Sequence, residues 1–306
     1  MQRQQEVFVL AFGRTAIGSF QGCFGEISAV DLAAKCVEGV FDKFNLSSLK
    51  GQVEECIVGN VLSTGLGQGI ANQIAQKAGL PSNTNCFTVG KVCSSGMKAV
   101  MLGAQSILTG QSDFVVCAGT ESMSNVPHLL RGRNTEGKYG NRILEDCLVV
   151  DGLSDASSGK SMGVITEEMA LKEQISRAFQ DEYTISSYER AIHAQEAGFF
   201  SQEIIPINGH STDEEPAKFR KDKIRSLKPA FASEGTITAA SSSKLSDGAA
   251  VLVLASRKFC LEHKIVPVAQ IVDFAEGTQV SIGACTNVHL FTLCFRMQKS
   301  LGLLLH

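Results

Sequence analysis

The chain has 306 residues, of which 44% are hydrophobic and 19% are charged, and its formal net charge at pH 7 is −3. These values are typical of a folded globular protein and leave no basic stripe for nucleic acid or an anionic membrane surface. The apolar run at residues 288–295 is far shorter than the roughly 18 residues that a membrane-spanning helix needs. We therefore expect neither a nucleic-acid partner nor insertion into a membrane.

The cysteines and the amino-terminal residues restrict which metal sites and which cellular compartment we expect. The ten cysteines show no CxxC spacing, and several lie inside apolar runs, so we predict no metal site. Residues 1–12 have neither the apolar centre of a signal peptide nor the Arg- and Ser-rich character of a transit peptide. The cytoplasm is the default expectation.

Short β-rich runs alternate with helical patterns in the first 118 residues. Strands are predicted at residues 6–10, 55–62, 86–89 and 113–119, and helices at residues 29–44, 71–80 and 94–108. This alternation predicts a layered α/β domain with a mostly parallel sheet.

The pattern is interrupted in the middle of the chain and then returns. Residues 166–198 carry two polar helical segments, the second opening near residues 180–182, and residues 206–229 are charged and irregular. These features predict an insertion or cap. Residues 248–277 again read as strand, helix and strand. Beyond Gly277 neither strand nor helix is predicted, which leaves a loosely ordered terminus or a foreign ending as alternatives.

Cys93 is the residue whose surroundings point most directly to chemistry. It lies between the strand pattern CFTV and the helix pattern beginning at Ser94, so its sulfur is expected at a helix N-terminus, where the helix dipole favours a thiolate. Ser94, Ser95 and Gly96 are small and leave room for a substrate. The alternative from the residues alone is an ordinary structural thiol, because free cysteines are often buried.

Five motifs extend this observation along the chain. They are GRTAIGSFQG at 13–22, GNVL at 59–62, GKVCSSGMKAV at 90–100, AGTESMSNVP at 118–127 and GTITAASSSKLSDGAA at 235–250. In this order they resemble the thiolases, the CoA-dependent enzymes of Claisen condensation and thiolysis, and their details are most similar to the acetoacetyl-CoA type. The resemblance covers residues 6 to about 275.

The resemblance implies that Cys93 accepts an acyl group as a thioester. A second acetyl-CoA then loses an α-proton and attacks it, so that two acetyl-CoA give acetoacetyl-CoA and CoA, or the reverse. Coenzyme A is thus part of the substrate, and no covalently bound cofactor is expected. The family uses a His in GHPxG, a second Cys in CxGGG and an Asn in NEAF, and none of these motifs occurs here. We therefore expect impaired condensation.

The resemblance also implies which residues face CoA. Ala239, Ser243 and Leu245 match small, polar and apolar positions of the family's segment, and Arg220 matches a basic residue near the adenine end less securely. Ser243 reads equally well as a turn residue, and a solvated charge is the better interpretation of Arg220. The family's HMG motif is replaced by residues 161–163, SMG, which removes a CoA-facing His.

The implied architecture is the thiolase-like layered fold, αβαβα, truncated at its C-terminal end. Residues 1–118 and 246–269 would form the N-terminal α/β half, residues 119–245 an inserted, CoA-facing loop domain, and residues 270–306 a remnant of the C-terminal half, most of which is missing. The uncovered apolar face predicts a homo-oligomer or association with full-length thiolase subunits.

Two points stay open from the resemblance. A catalytically inactive chain that binds CoA or joins full-length subunits is the alternative to an enzyme. Mitochondrial and peroxisomal thiolases exist, so these compartments are alternatives to the cytoplasm, although no targeting signal is seen.

Overall fold

The computed structural model describes residues 5–131 and 141–277, together with the backbone of residues 290–297. Its strands are β1 (Val7–Arg14), β2 (Gly18–Ser19), β3 (Glu55–Gly59), β4 (Asn85–Val89), β5 (Phe114–Ser122), β6 (His128–Leu129), β7 (Glu145–Asp146), β8 (Ser246–Ser256), β9 (Ala269–Gly277) and β10 (Leu290–Met297). Its α-helices are α1 (Ala29–Lys43), α2 (Ile70–Lys77), α3 (Ser95–Leu108), α4 (Met162–Lys172), α5 (Arg177–Glu196), α6 (Lys221–Ile224) and α7 (Arg257–Glu262). Short 3₁₀ helices lie at Ser47–Gln52, Met123–Asn125 and Glu215–Lys218, and a π-helical turn lies at Leu148–Leu153. The predicted α/β alternation is confirmed.

The central sheet is mixed, so the prediction of a mostly parallel sheet is wrong. The strand order is β10-β9-β1-β8-β5-β3-β4, with β2 beside β8. Within the described sheet, parallel pairing is found between β3 and β4 and between β3 and β5. Strand β8 is antiparallel to both of its neighbours, β1 and β5. The sequence pattern missed this because β8 enters the sheet from the long middle segment and not from a helical crossover.

Helices cover both faces of the sheet. On one face α1 buries Leu32, Val37 and Phe41 in the larger apolar core, where the ring of Phe41 meets that of Phe114 at 6.2 Å. On the other face α3 packs in a second cluster that includes Ile57. The sheet therefore holds α3, and the turn that precedes it, against a fully buried framework.

The segment between β5 and β8 contains α4, α5 and the short sheet of β6 and β7. Helix α5 begins at Arg177 and not at residues 180–182 as predicted, because Ser176 is its N-cap and accepts a hydrogen bond from the Phe179 amide at 3.2 Å. The division into an inserted loop domain and a flanking α/β half stays a prediction.

A strand was not predicted beyond Gly277, yet residues 290–297 form β10, which pairs antiparallel with β9. Partner strands supply a tertiary context that a single-sequence pattern does not contain. The remainder of the predicted remnant at 270–306 after Gly277, including Cys285, lies outside the described residues. None of the helices in the described part of the chain is long and apolar enough to cross a membrane.

Candidate active site

Cys93 follows β4 and immediately precedes the N-cap residue of α3, Ser94. The predicted strand, turn and helix around it are therefore confirmed. Its side chain is exposed, whereas Cys36, Cys56 and Cys117 are buried. The geometry thus favours the nucleophile over the structural thiol as the interpretation of Cys93, because a substrate can reach its sulfur.

The turn that carries Cys93 is fixed by the buried side chain of Ser95. The Ser95 hydroxyl donates to the Val92 carbonyl at 2.6 Å and accepts from the Lys91 amide at 2.7 Å. Val92, between these contacts, has a positive φ of 48°, a conformation that β-branched residues seldom adopt. Such backbone strain is maintained only where the surroundings enforce it, and it is frequent at functional sites.

Three glycines let the first turn of α3 lie directly on the carboxyl ends of the strands. A Cβ at Gly59, the last residue of β3, would come closer than 3.0 Å to the backbone of Ser95 and Gly96. A Cβ at Gly119 of β5 would meet the Gly96 Cα at 3.0 Å. Larger residues at these positions would displace the turn, so the glycines set the height of Cys93 above the sheet.

Two lysines on either side of Cys93 are joined by one carboxylate. Glu276, near the end of β9, lies 2.9 Å from the Lys91 ammonium and 3.0 Å from that of Lys98. Both hydrogen bonds hold the pKa of Glu276 below its ordinary value. This bridge ties the end of β9 to the turn before α3 and to its first turn, and sequence reasoning missed it because Glu276 belongs to no quoted motif.

A second carboxylate closes the same edge of the sheet. Glu121 accepts hydrogen bonds from the Asn60 side chain at 2.8 Å and from the amides of Val61 and Leu62 at 3.0 and 2.9 Å. Burial raises the pKa of Glu121, while these hydrogen bonds oppose the rise. Glu121 lies in the motif AGTESMSNVP at 118–127, and its hydrogen bonds connect the GNVL segment to β5.

The segment that contains Ala239, Ser243 and Leu245 ends where β8 begins, at the same edge as Cys93. In β8, Asp247 is paired with Ser122 and Ala250 with Gly119. Because Gly119 also touches the first turn of α3, the start of β8 and the Cys93 turn are both positioned by β5.

A cavity of about 340 Å³ lies between this segment and α5. Ser243 lines it, with Ser241, Tyr188 and Glu215 among its neighbours. The ammonium of Lys244 donates to the carbonyl of Ala239, and this hydrogen bond stabilises the turn at residues 239–244. Ala239 and Ser243 are exposed and Leu245 is half-buried, and the Leu245 carbonyl accepts from the Phe20 amide at 3.1 Å.

Tyr188 and Glu215 form the opposite wall of this cavity. The Tyr188 hydroxyl donates to Glu215 at 2.7 Å, and its ring stacks on that of Phe219 at 4.8 Å. Burial, followed by the Glu215 carboxylate, raises the pKa of Tyr188. The Lys244 ammonium lies 3.7 Å from the same carboxylate. Tyr188, Glu215 and Lys244 are therefore linked polar groups in the lining of this cavity.

Arg220 is placed elsewhere. It lines a separate cavity of about 540 Å³ with Asp213, Glu214 and Lys218, and its guanidinium donates to the carbonyl of Phe219 at 2.9 Å. Arg220 is exposed, which suits the solvated charge considered above, and the structure does not bring it into the cavity of Ser243. Cys93 lines neither cavity.

The departures from the family's motifs have local structural roles. Ser161, which stands where the family commonly has His, is the N-cap of α4 and accepts from the Val164 amide at 3.3 Å. Ser241, where the family has Asn, accepts from the Thr238 amide at 2.9 Å. Both hydroxyls complete short turns of the backbone.

The comparisons with known proteins agree with the motifs. A model of the thiolase N-terminal domain matches residues 7–258. An acetyl-CoA acetyltransferase from Schizosaccharomyces pombe is 43% identical over 284 residues, which make up 90% of this chain and 71% of that protein. A Gibberella zeae acetyl-CoA acetyltransferase described as cytosolic is 40% identical over 281 residues, covering 89% of this chain and 70% of that protein.

One solved structure extends this agreement to the fold. A thiolase from Ascaris suum in complex with coenzyme A superposes with a TM-score of 0.84 at 39% identity, over 90% of this chain and 72% of that one. The matched range at 7–258 contains both the Cys93 turn and the segment at 239–245. The predicted resemblance is confirmed.

Proposed function

This chain belongs to the thiolase family of acyltransferases, in the acetyl-CoA acetyltransferase type, and on that basis we propose that Cys93 accepts an acetyl group from acetyl-CoA. The observation that carries the proposal is the exposed Cys93 sulfur on a strained turn at the start of α3. No other described cysteine is both exposed and directly before a helix of this length.

The first half-reaction follows from thioester chemistry. The Cys93 thiolate attacks the carbonyl carbon of acetyl-CoA, and the resulting tetrahedral oxyanion collapses as the bond to the CoA sulfur breaks. The acetyl group remains on Cys93, and CoA leaves with the proton that Cys93 gave up. Helix α3 points its positive end toward this turn, which favours the negative charge that develops on the oxyanion.

We propose that the segment at 239–245 receives the CoA moiety. Its exposed residue Ser243 lines an open cavity at the same edge of the sheet as Cys93, and Ala239 directly precedes the lining residue Ala240. The Ascaris suum relative was solved as a coenzyme A complex, which supports a CoA-binding surface on this fold. Arg220 is left out of this proposal because it lines a different cavity.

The second half-reaction needs a base that removes an α-proton from another acetyl-CoA. The family supplies it from motifs that do not occur in these 306 residues. We propose that these 306 residues by themselves accept the acetyl group but condense it poorly, because a catalytic unit without some of its members keeps little of its rate.

The test is the intact mass of the protein after brief incubation with acetyl-CoA, followed by peptide mapping. We expect one acetyl group on Cys93 and none on a Cys93→Ala variant. A Cys23→Ala variant is the matched control, since burial raises the pKa of that thiol to about 12 and its loss should leave the label unchanged.

Either negative result would be informative. A folded chain that binds CoA by calorimetry without forming the adduct would sink the acyl-acceptor role and favour the non-enzymatic, CoA-binding alternative. A label that persists in Cys93→Ala would move the nucleophile to another residue.

We propose a cytosolic location, supported by the description of the Gibberella zeae relative as cytosolic. Fluorescence microscopy of the tagged chain tests it. Co-localisation with a mitochondrial or peroxisomal marker would refute it.

A further inference from the structure

Cys56 and Cys86 lie side by side in the sheet, away from the Cys93 turn. Strands β3 and β4 pair in parallel with Cys56 opposite Cys86. Neighbouring strands are about 4.8 Å apart, which is within the about 4.4–6.8 Å between Cα atoms that a disulfide spans. The backbone therefore already holds these residues at bridging distance.

The two sulfurs are on the same side of the sheet. Cys56 belongs to the larger apolar core beneath α1 and α2, and Cys86 packs against that same core. Cys117, on the other neighbour of β3, belongs to the opposite cluster beneath α3. Cys36 shares this core with Cys56, but Cys86 is the cysteine that the strand register places directly opposite Cys56.

The pair is asymmetric in its access to solvent. Cys56 is fully buried, whereas Cys86 is half-buried on β4, the last strand at this end of the described sheet. A hydrogen bond from Cys56 lowers the pKa of Cys86, and the same contact raises the pKa of Cys56. An oxidant from solvent would reach Cys86 first, and Cys86 is also the more readily ionised thiol.

We propose that Cys56 and Cys86 form a peroxide-sensitive dithiol that closes into an intramolecular disulfide. In the first step the Cys86 thiolate attacks one oxygen of hydrogen peroxide, the O–O bond breaks, and hydroxide leaves to give a sulfenic acid on Cys86. In the second step the Cys56 sulfur attacks the Cys86 sulfur, the S–O bond breaks, and water leaves with the Cys56 proton. Two thiols are oxidised and one peroxide is reduced to two waters.

This site does not rest on the proposed acetyl transfer, because Cys56 and Cys86 lie near the starts of β3 and β4, whereas the Cys93 turn follows the end of β4. It belongs instead to the strand that leads into that turn, since β4 ends at Val89. Closing the bridge would fix β4 to β3 covalently, and reduction by a dithiol would release it.

The experiment uses the full chain carrying Cys93→Ala, so that the exposed thiol does not consume the oxidant. The folded protein is treated with hydrogen peroxide, quenched, denatured, alkylated and mapped by mass spectrometry. We expect the loss of two alkylatable thiols, a cross-linked peptide pair containing Cys56 and Cys86, and full recovery with dithiothreitol.

Three further variants in that background separate the steps. Cys56→Ser should leave a sulfenic acid on Cys86 that dimedone traps, without a cross-link. Cys86→Ser should leave Cys56 reduced. Cys36→Ala, which removes another buried thiol of the same core, should cross-link like the parent.

A folded parent in which Cys86 is oxidised to sulfinic acid while Cys56 stays a free thiol would overturn the proposal. A chain that keeps all its thiols after peroxide treatment would overturn it as well. Circular dichroism before treatment confirms that each variant is folded, so that a missing cross-link reports on the pair and not on unfolding.

Discussion

Replacing Gly59 by alanine tests whether the sheet sets the position of Cys93. The new methyl group would lie closer than 3.0 Å to the backbone of Ser95 and Gly96, and neither atom set belongs to a flexible side chain. Overpacking of this kind costs typically 1–3 kcal/mol, and contact with backbone places Gly59→Ala at about 3 kcal/mol. With an unfolding entropy of about 2.1 cal/mol/K per residue, a chain of 306 residues would lose about 5 °C in Tm.

The same substitution should also slow the acetylation of Cys93 in the folded protein. The first turn of α3 must move away from β3, and Cys93 moves with it. A displacement of about 1 Å at a reacting group can cost on the order of 100-fold in rate. We therefore expect acetylation of Cys93 to fall by about this factor at a temperature where the variant is still folded.

Calorimetry and the acetyl-CoA mass assay measure the two effects. Gly119→Ala, whose Cβ would meet the Gly96 Cα at 3.0 Å, should show a smaller version of both. Gly51→Ala is the control, because a Cβ there meets nothing within 4 Å. The reasoning is refuted if Gly59→Ala melts and acetylates like Gly51→Ala.

Two further predictions concern stability and association. The Lys77 ammonium, and then the Ser28 hydroxyl, hold the pKa of Asp31 below its ordinary value of 3.8, so Asp31→Asn should lower the free energy of unfolding by less than about 1 kcal/mol at neutral pH. That difference should shrink as pH falls through the lowered pKa in urea titrations, and a difference that persists at pH 2 would contradict it. Met97 and Leu108 are exposed along one stripe of α3, so light scattering should show that the chain self-associates. A Met97→Lys, Leu108→Lys double variant should associate less. A monodisperse monomer of the parent chain would contradict this prediction.

Local patterns predicted the Cys93 turn correctly. CFTV is a short β-rich run, and the residues from Ser94 onward have helical spacing, so the strand and helix that flank Cys93 could be placed from the sequence. What periodicity does not contain is the distance between remote segments. The sequence shows that residues 59 and 119 are glycines, but it does not show that they contact the start of α3, because those contacts depend on the order of the strands in the sheet.

Long-range pairs account for most of what was missed. Glu276 follows Lys91 by 185 positions, and the pairing of Cys56 with Cys86 depends on a register between two strands. The sheet direction was missed for the same reason, since a single strand inserted from the middle segment reverses two pairings. Arg220 matched a CoA-facing position of the family less securely and was interpreted as a solvated charge, and its separate cavity became visible with the fold.

The central position of β8 has a consequence for synthesis on the ribosome. Strands β1 and β5 are not neighbours; each pairs with β8, which is complete only at Ser256. At the 5–20 residues per second of translation, the interval between the end of β5 and the end of β8 is on the order of ten seconds. During that time both strands have an unpaired edge, which in the nascent chain is open to pairing with other chains.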